Sequence, residues 1–313
     1  MTPRGFLLVL LLIQCALVAW VYWPRVDDAV ENAVGPLVHM QPADVDEIHI
    51  ADDRGNELVL HRAGGRWTLA ESDELPVDGE KVARLLTSLS RPRPDWPVGK
   101  TAAARQRFQV ADYHFQRRII LIGRDQLLGT LYLGTSPGFR KVHARADRQQ
   151  AVYSIDFNNF DAPAIPEPWL DAGLLQLRVP VSIATETYDI RREGEGWISG
   201  WGQAPDQREL LALLDSLENL QVLGVASEDL QRDLAAIEPD LTLHAESLGG
   251  AQSLELYSLD GTHYVHSSRF VPFFVLSDYE YQKLASIDAE RIMGGEEPAA
   301  DTAAGPALNS RQR

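Results

Sequence analysis

Hydrophobic and polar positions alternate along this chain in two recurring passages broken by short turns. The first runs Val45-Asp46-Glu47-Ile48-His49-Ile50, turns at Asp52-Asp53-Arg54-Gly55, and returns as Glu57-Leu58-Val59-Leu60-His61-Arg62. Period-two alternation puts Ile48, Ile50, Leu58 and Leu60 on one face and Glu47, His49 and His61 on the other, which predicts a β-hairpin buried on one side. Gly64-Gly65 makes the next turn and Arg66-Trp67-Thr68-Leu69 a third strand. From about Asp78 the period becomes helical: Val82, Leu85, Leu86 and Leu89 stand at i, i+3, i+4 and i+7, a single buried stripe.

The second passage repeats the first. Leu60, Arg62, Gly64 and Trp67 recur at one constant offset as Ile190, Arg192, Gly194 and Trp197, and the helix stripe recurs as Leu210, Leu213, Leu214 and Leu217. Asp206 with Glu209 has the form of a capping box that starts this second helix. The first strand of the second pass is expected near Val181 to Thr185. After each helix come four short strands that space like an antiparallel meander: 118–122, 129–133, 141–144 and 151–155, then 241–244, 253–257, 263–266 and 273–276, with Val142-His143 echoed by Val265-His266. Each copy is expected to end in a short helical segment, near Phe157 to Phe160 and Tyr279 to Leu284. The fold class is therefore α+β: two related modules of antiparallel strands, each with one packed helix and a short terminal helix, at residues 43–160 and 177–291. Pro163, Pro166 and Pro168 mark the joint, placed at 161–176, and 292–313 reads as a disordered tail.

Ahead of the modules, Phe6 through Trp23 is apolar except for Gln14, close to the roughly 20 residues that cross about 30 Å of hydrocarbon. Residues 1–23 are expected to be a transmembrane helix and 24–42 a linker. Arg4 and the terminal amine precede the run, whereas Arg25 is followed by Asp27, Asp28 and Glu31, so the charge bias keeps the N-terminus cytoplasmic and places the rest outside. Trp20, Tyr22 and Trp23 would sit at the far headgroup layer. A cleaved signal peptide is the competing reading, but Leu17-Val18-Ala19 puts a bulky Leu where a cleavage site needs a small residue. Cys15 lacks the small preceding residue of a lipobox, having Gln14 instead, and reads as a small hydrophobe.

Lys and Arg number 29 against 45 Asp and Glu, a formal charge of −16, which repels phosphate backbones; no basic cluster is visible in the sequence, and nucleic acid is not an expected partner. With Cys15 as the one cysteine, the chain can form no internal disulfide and no multi-cysteine metal site.

Several stretches together resemble a bacterial family, domain of unknown function 4340. They are the anchor, Met40-Gln41-Pro42-Ala43-Asp44-Val45 leading into Glu47-Ile48-His49-Ile50, Leu60-His61-Arg62 before Gly65-Arg66-Trp67-Thr68-Leu69, Pro76-Val77-Asp78 opening the first helix, and Trp169-Leu170-Asp171-Ala172-Gly173-Leu174-Leu175 restarting the repeat. The resemblance covers about residues 38 to 290. It implies an accessory role in the cell envelope beside ABC-type transporters, at the bacterial inner membrane with the bulk of the chain periplasmic. It supplies no catalytic residues.

Candidate chemistry is sparse. Gly134-Thr135-Ser136-Pro137-Gly138 matches the G-x-S-x-G nucleophile elbow, but Pro137 has no N–H to lend an oxyanion hole and the next segment reads as a strand instead of a helix. His263 and His266, three apart on a strand, point to opposite faces and cannot chelate one ion. His49 and His61 could meet across their hairpin beside Glu47 as a weak metal or pH-sensitive site, although a solvated sheet face is the expectation. Gly194-Glu195-Gly196-Trp197 lacks the third glycine of a dinucleotide fingerprint and reads as a turn. Trp67 and Trp197, at equivalent repeat positions, are expected to fill equivalent places in the two cores. Phe270, Pro272, Phe273 and Phe274 form an aromatic cluster that could line a docking surface for a partner.

No catalytic, cofactor-binding or metal residue is assigned, and no cofactor is expected. The leading expectation is a single-pass membrane protein acting as an interaction accessory to a transporter or envelope assembly, anchored in the bilayer through residues 6–23. The alternative is a periplasmic small-molecule or glycan binding module using a groove near Pro163 to Gln176. A hydrolase using Ser136 ranks third.

Overall fold

The alternation at residues 45–62 produces the hairpin it predicts. β1 (Glu47–Asp52) and β2 (Glu57–Ala63) pair antiparallel with Glu47 opposite His61 and Ile48 opposite Leu60, and β3 (Arg66–Leu69) adds Trp67 opposite Arg62. The computed structural model describes residues 13–14, 35–70, 74–91 and 96–294. The chain divides into two compact units, Met1–Glu71 with Gly79–Pro168, and Ser72–Asp78 with Trp169–Arg313.

In the first unit the hairpin is followed by α1 (Gly79–Leu89), α2 (Ala102–Arg107), the small pair β4 (Val110–Ala111) and β5 (His114–Phe115), and then β6 (Arg117–Gly123), β7 (Gln126–Leu133), β8 (Lys141–Ala146) and β9 (Tyr153–Asp156). Among the described residues the sheet order is β3-β2-β1-β6-β7-β8-β9, antiparallel throughout. Val82, Leu85, Leu86 and Leu89 of α1 are all buried, as are Ile48, Ile50, Leu60, Leu69, Ile119, Leu121, Leu131 and Val142 from alternate strand positions, so the helical and strand periods converge on one core. The opposite sheet face is covered at its far end, where Phe108 and Phe115 pack on Val110, Tyr132 and Val152.

The second unit repeats this plan with β10 (Pro180–Ala184), β11 (Asp189–Glu193), β12 (Gly196–Ser199), α3 (Gln207–Glu218), β13 (Val222–Val225), α4 (Glu228–Leu234), β14 (Leu241–Ser247), β15 (Gly250–Leu259), β16 (Thr262–Ser267), β17 (Phe274–Leu276), α5 (Asp278–Ala285) and α6 (Ala289–Ile292). Its sheet order, β12-β11-β10-β14-β15-β16-β17-β13, matches the first with one edge strand added. The first unit holds a remnant of that edge: Gly99 bridges Val152 just before β9, as Gly224 faces Val275 on β17. Asp206 caps α3 by accepting from the backbone N–H of Arg208 and Glu209.

Several expectations need correction. Each unit has a second short helix, α2 or α4, where a plain loop was expected; at six and seven residues, neither is long enough to show a full apolar stripe. The short helical segment expected near Phe157 to Phe160 is a single 3-10 turn, Asn159–Asp161, and α5 forms in the second copy as expected. In α3 the buried set is Leu210, Leu213, Ser216 and Leu217, with Leu214 half-buried; the Ser216 hydroxyl donates to the Ala212 carbonyl at 2.6 Å, which lets a polar side chain enter the core. Trp67 is buried but Trp197 only half-buried, so the two rings are not equally interior. Residues 72–78 group with the second unit: Val77 bridges Leu170, and the Asp78 N–H donates to the Trp169 carbonyl at 2.9 Å. The expected anchor lies outside the described residues except Ile13 and Gln14, which are helical. Among the described residues no helix is long and apolar enough to cross a membrane. The expected tail from 292 is described only to Gly294, and α6 ends at Ile292.

The first hairpin turn is held by a buried carboxylate. Asp52 accepts from the backbone N–H of Arg54 at 2.9 Å and Asn56 at 3.0 Å and from the Asn56 amide at 2.9 Å, and Arg117 lies 3.6 Å away. Burial alone would raise its pKa, but the Asn56 and Arg54 donors and the Arg117 charge outweigh it and hold the carboxyl below its ordinary value. A depressed pKa means stability that is present above the unfolded value and lost as pH falls through the folded one. Asp52→Asn is expected to cost about 1 kcal/mol at pH 7, with the difference shrinking once the pH is taken below the ordinary carboxylate value of 3.8. Denaturant melts of both forms at pH 7 and below that value check it; an equal deficit at both would show that charge plays no part.

Candidate functional site

A concavity of the first unit lies beside α1. Lys81, Arg84 and Ser88 follow one another at helical spacing along one flank of α1, next to the buried stripe, and Arg91 stands just past its end. Facing them are Phe139 and Arg140 from the β7–β8 turn and Phe160 and Asp161 from the 3-10 turn after β9. Two adjoining cavities of about 610 and 450 Å³ share Ser88, Arg91, Arg140 and Asp161 and form one groove.

Its electrostatics run against the −16 charge of the chain. Four cations, Lys81, Arg84, Arg91 and Arg140, line it with two carboxylates, Asp156 and Asp161. Asp156 has a cation of its own, Lys141 at 3.7 Å. Lys81 donates to the Pro168 carbonyl, and Arg84 reaches Glu80 at 3.5 Å on the exposed side of α1, a pair worth little in water. At the rim Phe139 is 90% and Phe160 86% exposed, far beyond what a core-forming aromatic shows. Arg140 has φ 53°, a left-handed conformation that an arginine adopts at a cost of about 1 kcal/mol, and its guanidinium sits 5.7 Å from the Phe139 ring. Sequence reading missed this groove. The three cations at 81–91 register only as the polar side of a helix, and Arg140 joins them only through the tertiary fold.

Most of the sequence-derived candidates have structural roles. In the Phe270, Pro272, Phe273, Phe274 cluster, Pro272, Phe273 and Phe274 are buried, Phe274 at 0% exposure, and Phe270 is half-buried with its ring edge-on to Phe274 at 6.1 Å. Phe273, just before β17, packs with Tyr257, Tyr264 and Leu234 beneath α4, in the same cluster as Val275 of that strand. The Ser136 hydroxyl lies 2.7 Å from both the Gly138 and the Lys141 carbonyl, closing the turn into β8, with no helix behind it. Gly194 has φ 62° in the β11–β12 turn.

His263 and His266 do face opposite ways. His263 stacks on Tyr281 of α5 at 3.8 Å, and His266 packs on Phe273 at 4.8 Å and approaches Glu255 at 3.2 Å. Tyr257 donates to the same Glu255 oxygen at 2.9 Å; burial first, then this carboxylate, pushes the phenol up to about 12. His143, the counterpart of His266, stacks on Phe108 at 4.1 Å and bonds Thr135 at 2.9 Å, and burial lowers its pKa despite a backbone hydrogen bond. The repeated Val-His pair thus places a histidine against a phenylalanine ring in each unit, stacked on Phe108 in the first and tilted against Phe273 in the second.

Glu47, His49 and His61 do converge: His49 Nε2 lies 2.5 Å from one Glu47 oxygen and His61 Nδ1 3.6 Å from the other. Both histidines and Glu47 are partly open to solvent. Among the described residues no group of three His, Cys, Asp or Glu is arranged to hold a metal ion.

Comparison with curated proteins and with solved structures yields no match. A family profile described as Domain of unknown function (DUF4340) matches residues 67–240, from within β3 of the first sheet to the residue before β14 of the second. With more than half its length matched, the chain belongs to the DUF4340 family.

Proposed function

We propose that this protein is an envelope accessory that works by binding another protein, held at the bacterial inner membrane by residues 6–23 with its two α+β units in the periplasm, as an auxiliary to a transporter or envelope assembly. The observation that carries this reading is the groove beside α1, where four cations and two nearly fully exposed phenyl rings gather on an otherwise acidic chain. Exposed aromatics beside arginine are the side chains that anchor protein interfaces. The apolar run and its flanking charges support the anchor. In affinity purification from mild detergent, the full-length chain is expected to recover a stoichiometric membrane partner that a chain lacking residues 1–23 recovers poorly. Absence of any stoichiometric partner with the full-length chain would count decisively against the reading.

A further inference from the structure

The internal repeat provides a control for the groove, because the second unit has the same site and fills it. Each unit's last strand ends in a capped turn: Asn158 accepts from the Phe160 N–H at 3.1 Å, and Ser277 from the Glu280 N–H at 3.2 Å. In the second unit the chain then continues as α5, which lies against α3. Tyr281 stacks on His263 at 3.8 Å, and Lys283 reaches Asp215 at 3.4 Å. Counting back from the equivalent residues Val142 and Val265, His263 corresponds to Arg140. Matching the two helix stripes, Asp215 and Ser216 correspond to Thr87 and Ser88. All three counterparts line the groove of the first unit. The helix is aborted there after one turn because Pro163 follows; Ala162 is driven out of the helical region, to φ −130° and ψ 64°.

We infer that the groove of the first unit accepts a helix from a partner protein, in the position that α5 takes in the second unit, and that the contacting face of that helix is acidic. The walls were built by the repeat to hold a helix, and the residues that meet α5 as His263 and Asp215 are here Arg140 and Thr87, so the site has changed from mixed to basic. A complementary ligand presents carboxylates to Lys81, Arg84, Arg91 and Arg140 and an apolar flank to Phe139 and Phe160. The inference rests on the accessory reading and names its partner class.

The test uses the full-length protein in detergent and a helix-stapled peptide of residues 277–286 carrying Lys283→Glu, read by fluorescence anisotropy. The acidic peptide is expected to bind at least about tenfold more tightly than the same peptide carrying Asp278→Lys and Glu280→Lys, a difference of about 1.4 kcal/mol. Arg84→Glu combined with Arg91→Glu should erase that preference, and Ser88→Trp, which fills the groove without changing its charge, should weaken both peptides. Equal binding of the two peptides, or a preference that survives the arginine reversals, would overturn the inference. Displacement by dioctanoyl phosphatidylglycerol but not by the phosphatidylcholine would assign the groove to an anionic lipid and overturn it as well. So would self-association in sedimentation that the arginine reversals abolish, which would assign the groove to a second copy. If the wild-type chain recovers a partner but shows no peptide preference, the groove assignment alone fails; if it recovers none, the accessory reading fails.

Discussion

Gly134→Ala is expected to destabilise the first unit by about 3 kcal/mol, lowering its melting temperature by about 6–12 °C, although the change adds one methyl group. A Cβ at Gly134 would lie 1.9 Å from the Phe108 carbonyl oxygen and 2.4 Å from that of Gln109, both backbone atoms at the end of α2. Neither can move alone. The Phe108 carbonyl accepts from the Thr135 N–H at 3.0 Å, and Gly134 itself donates to His143 and accepts from the Asn159 amide. Accommodating the methyl group means separating α2 from the β7–β8 connection and with it the Phe108–His143 stack. The other glycine of the G-x-S-x-G stretch is the control: a Cβ at Gly138 meets nothing within 4 Å, so Gly138→Ala should change stability by less than about 0.5 kcal/mol. Ser136→Ala removes hydroxyl contacts in an exposed turn and should cost about 1 kcal/mol or less. Calorimetry of the three variants decides between readings of the motif. A structural role predicts damage concentrated at Gly134; comparable losses at all three positions would refute it.

Arg145→Met should cost about 3 kcal/mol, because it strips donors from the interior instead of deleting a surface charge. Arg145 is only 6% exposed. Its Nε donates to the Val110 carbonyl at 2.7 Å, and one terminal nitrogen serves the carbonyls of Asp147 at 3.1 Å and Gln149 at 3.3 Å. The guanidinium also lies 4.6 Å from the Tyr132 ring. Burial pulls its pKa down, partly offset by Tyr132 and Asp147, yet a guanidinium keeps its charge at neutral pH. The residue thereby joins β8 to β4 and to the loop before β9, tying the covering segment to the sheet. Methionine matches the volume but leaves these carbonyls without their donor. Lysine should recover only part of the loss, since one ammonium cannot reproduce the planar fork. Chemical denaturation measures the cost, and amide exchange at Val110 and Ala111 locates it: both should exchange faster in Arg145→Met. Unchanged exchange there would mean that the cover is held by its aromatic contacts alone.

What could be read directly from the residues follows a simple physical division. Strand and helix periods are local properties of a chain, so the hairpins, the stripe Val82, Leu85, Leu86 and Leu89, the cap at Asp206 and the duplication were all legible, and the structure forms each of them. The opposed directions of His263 and His266, and the meeting of His49, Glu47 and His61, also follow from the two-residue period of a strand. Short elements escaped because two to seven residues carry too little periodicity: α2, α4, β13 and the β4–β5 pair all belong to this class. Side-chain exposure escaped for a different reason. Whether Phe273 faces a partner or its own core depends on α4 lying over it, which no pattern within residues 270–276 records.

By itself, then, the sequence determined the repeated α+β plan, its antiparallel sheets and the main core stripe of each copy, because hydrophobic burial is enforced residue by residue along each element. Only the tertiary structure decided where the candidate site lies. The cations of α1 and Arg140 stand far apart along the chain and meet because β8 and β9 close beside α1, while Pro163 ends the segment that would otherwise have covered them. The second unit, built on the same pattern, carries α5 at that place; a difference confined to the few residues after the last strand separates an open basic groove from a filled one.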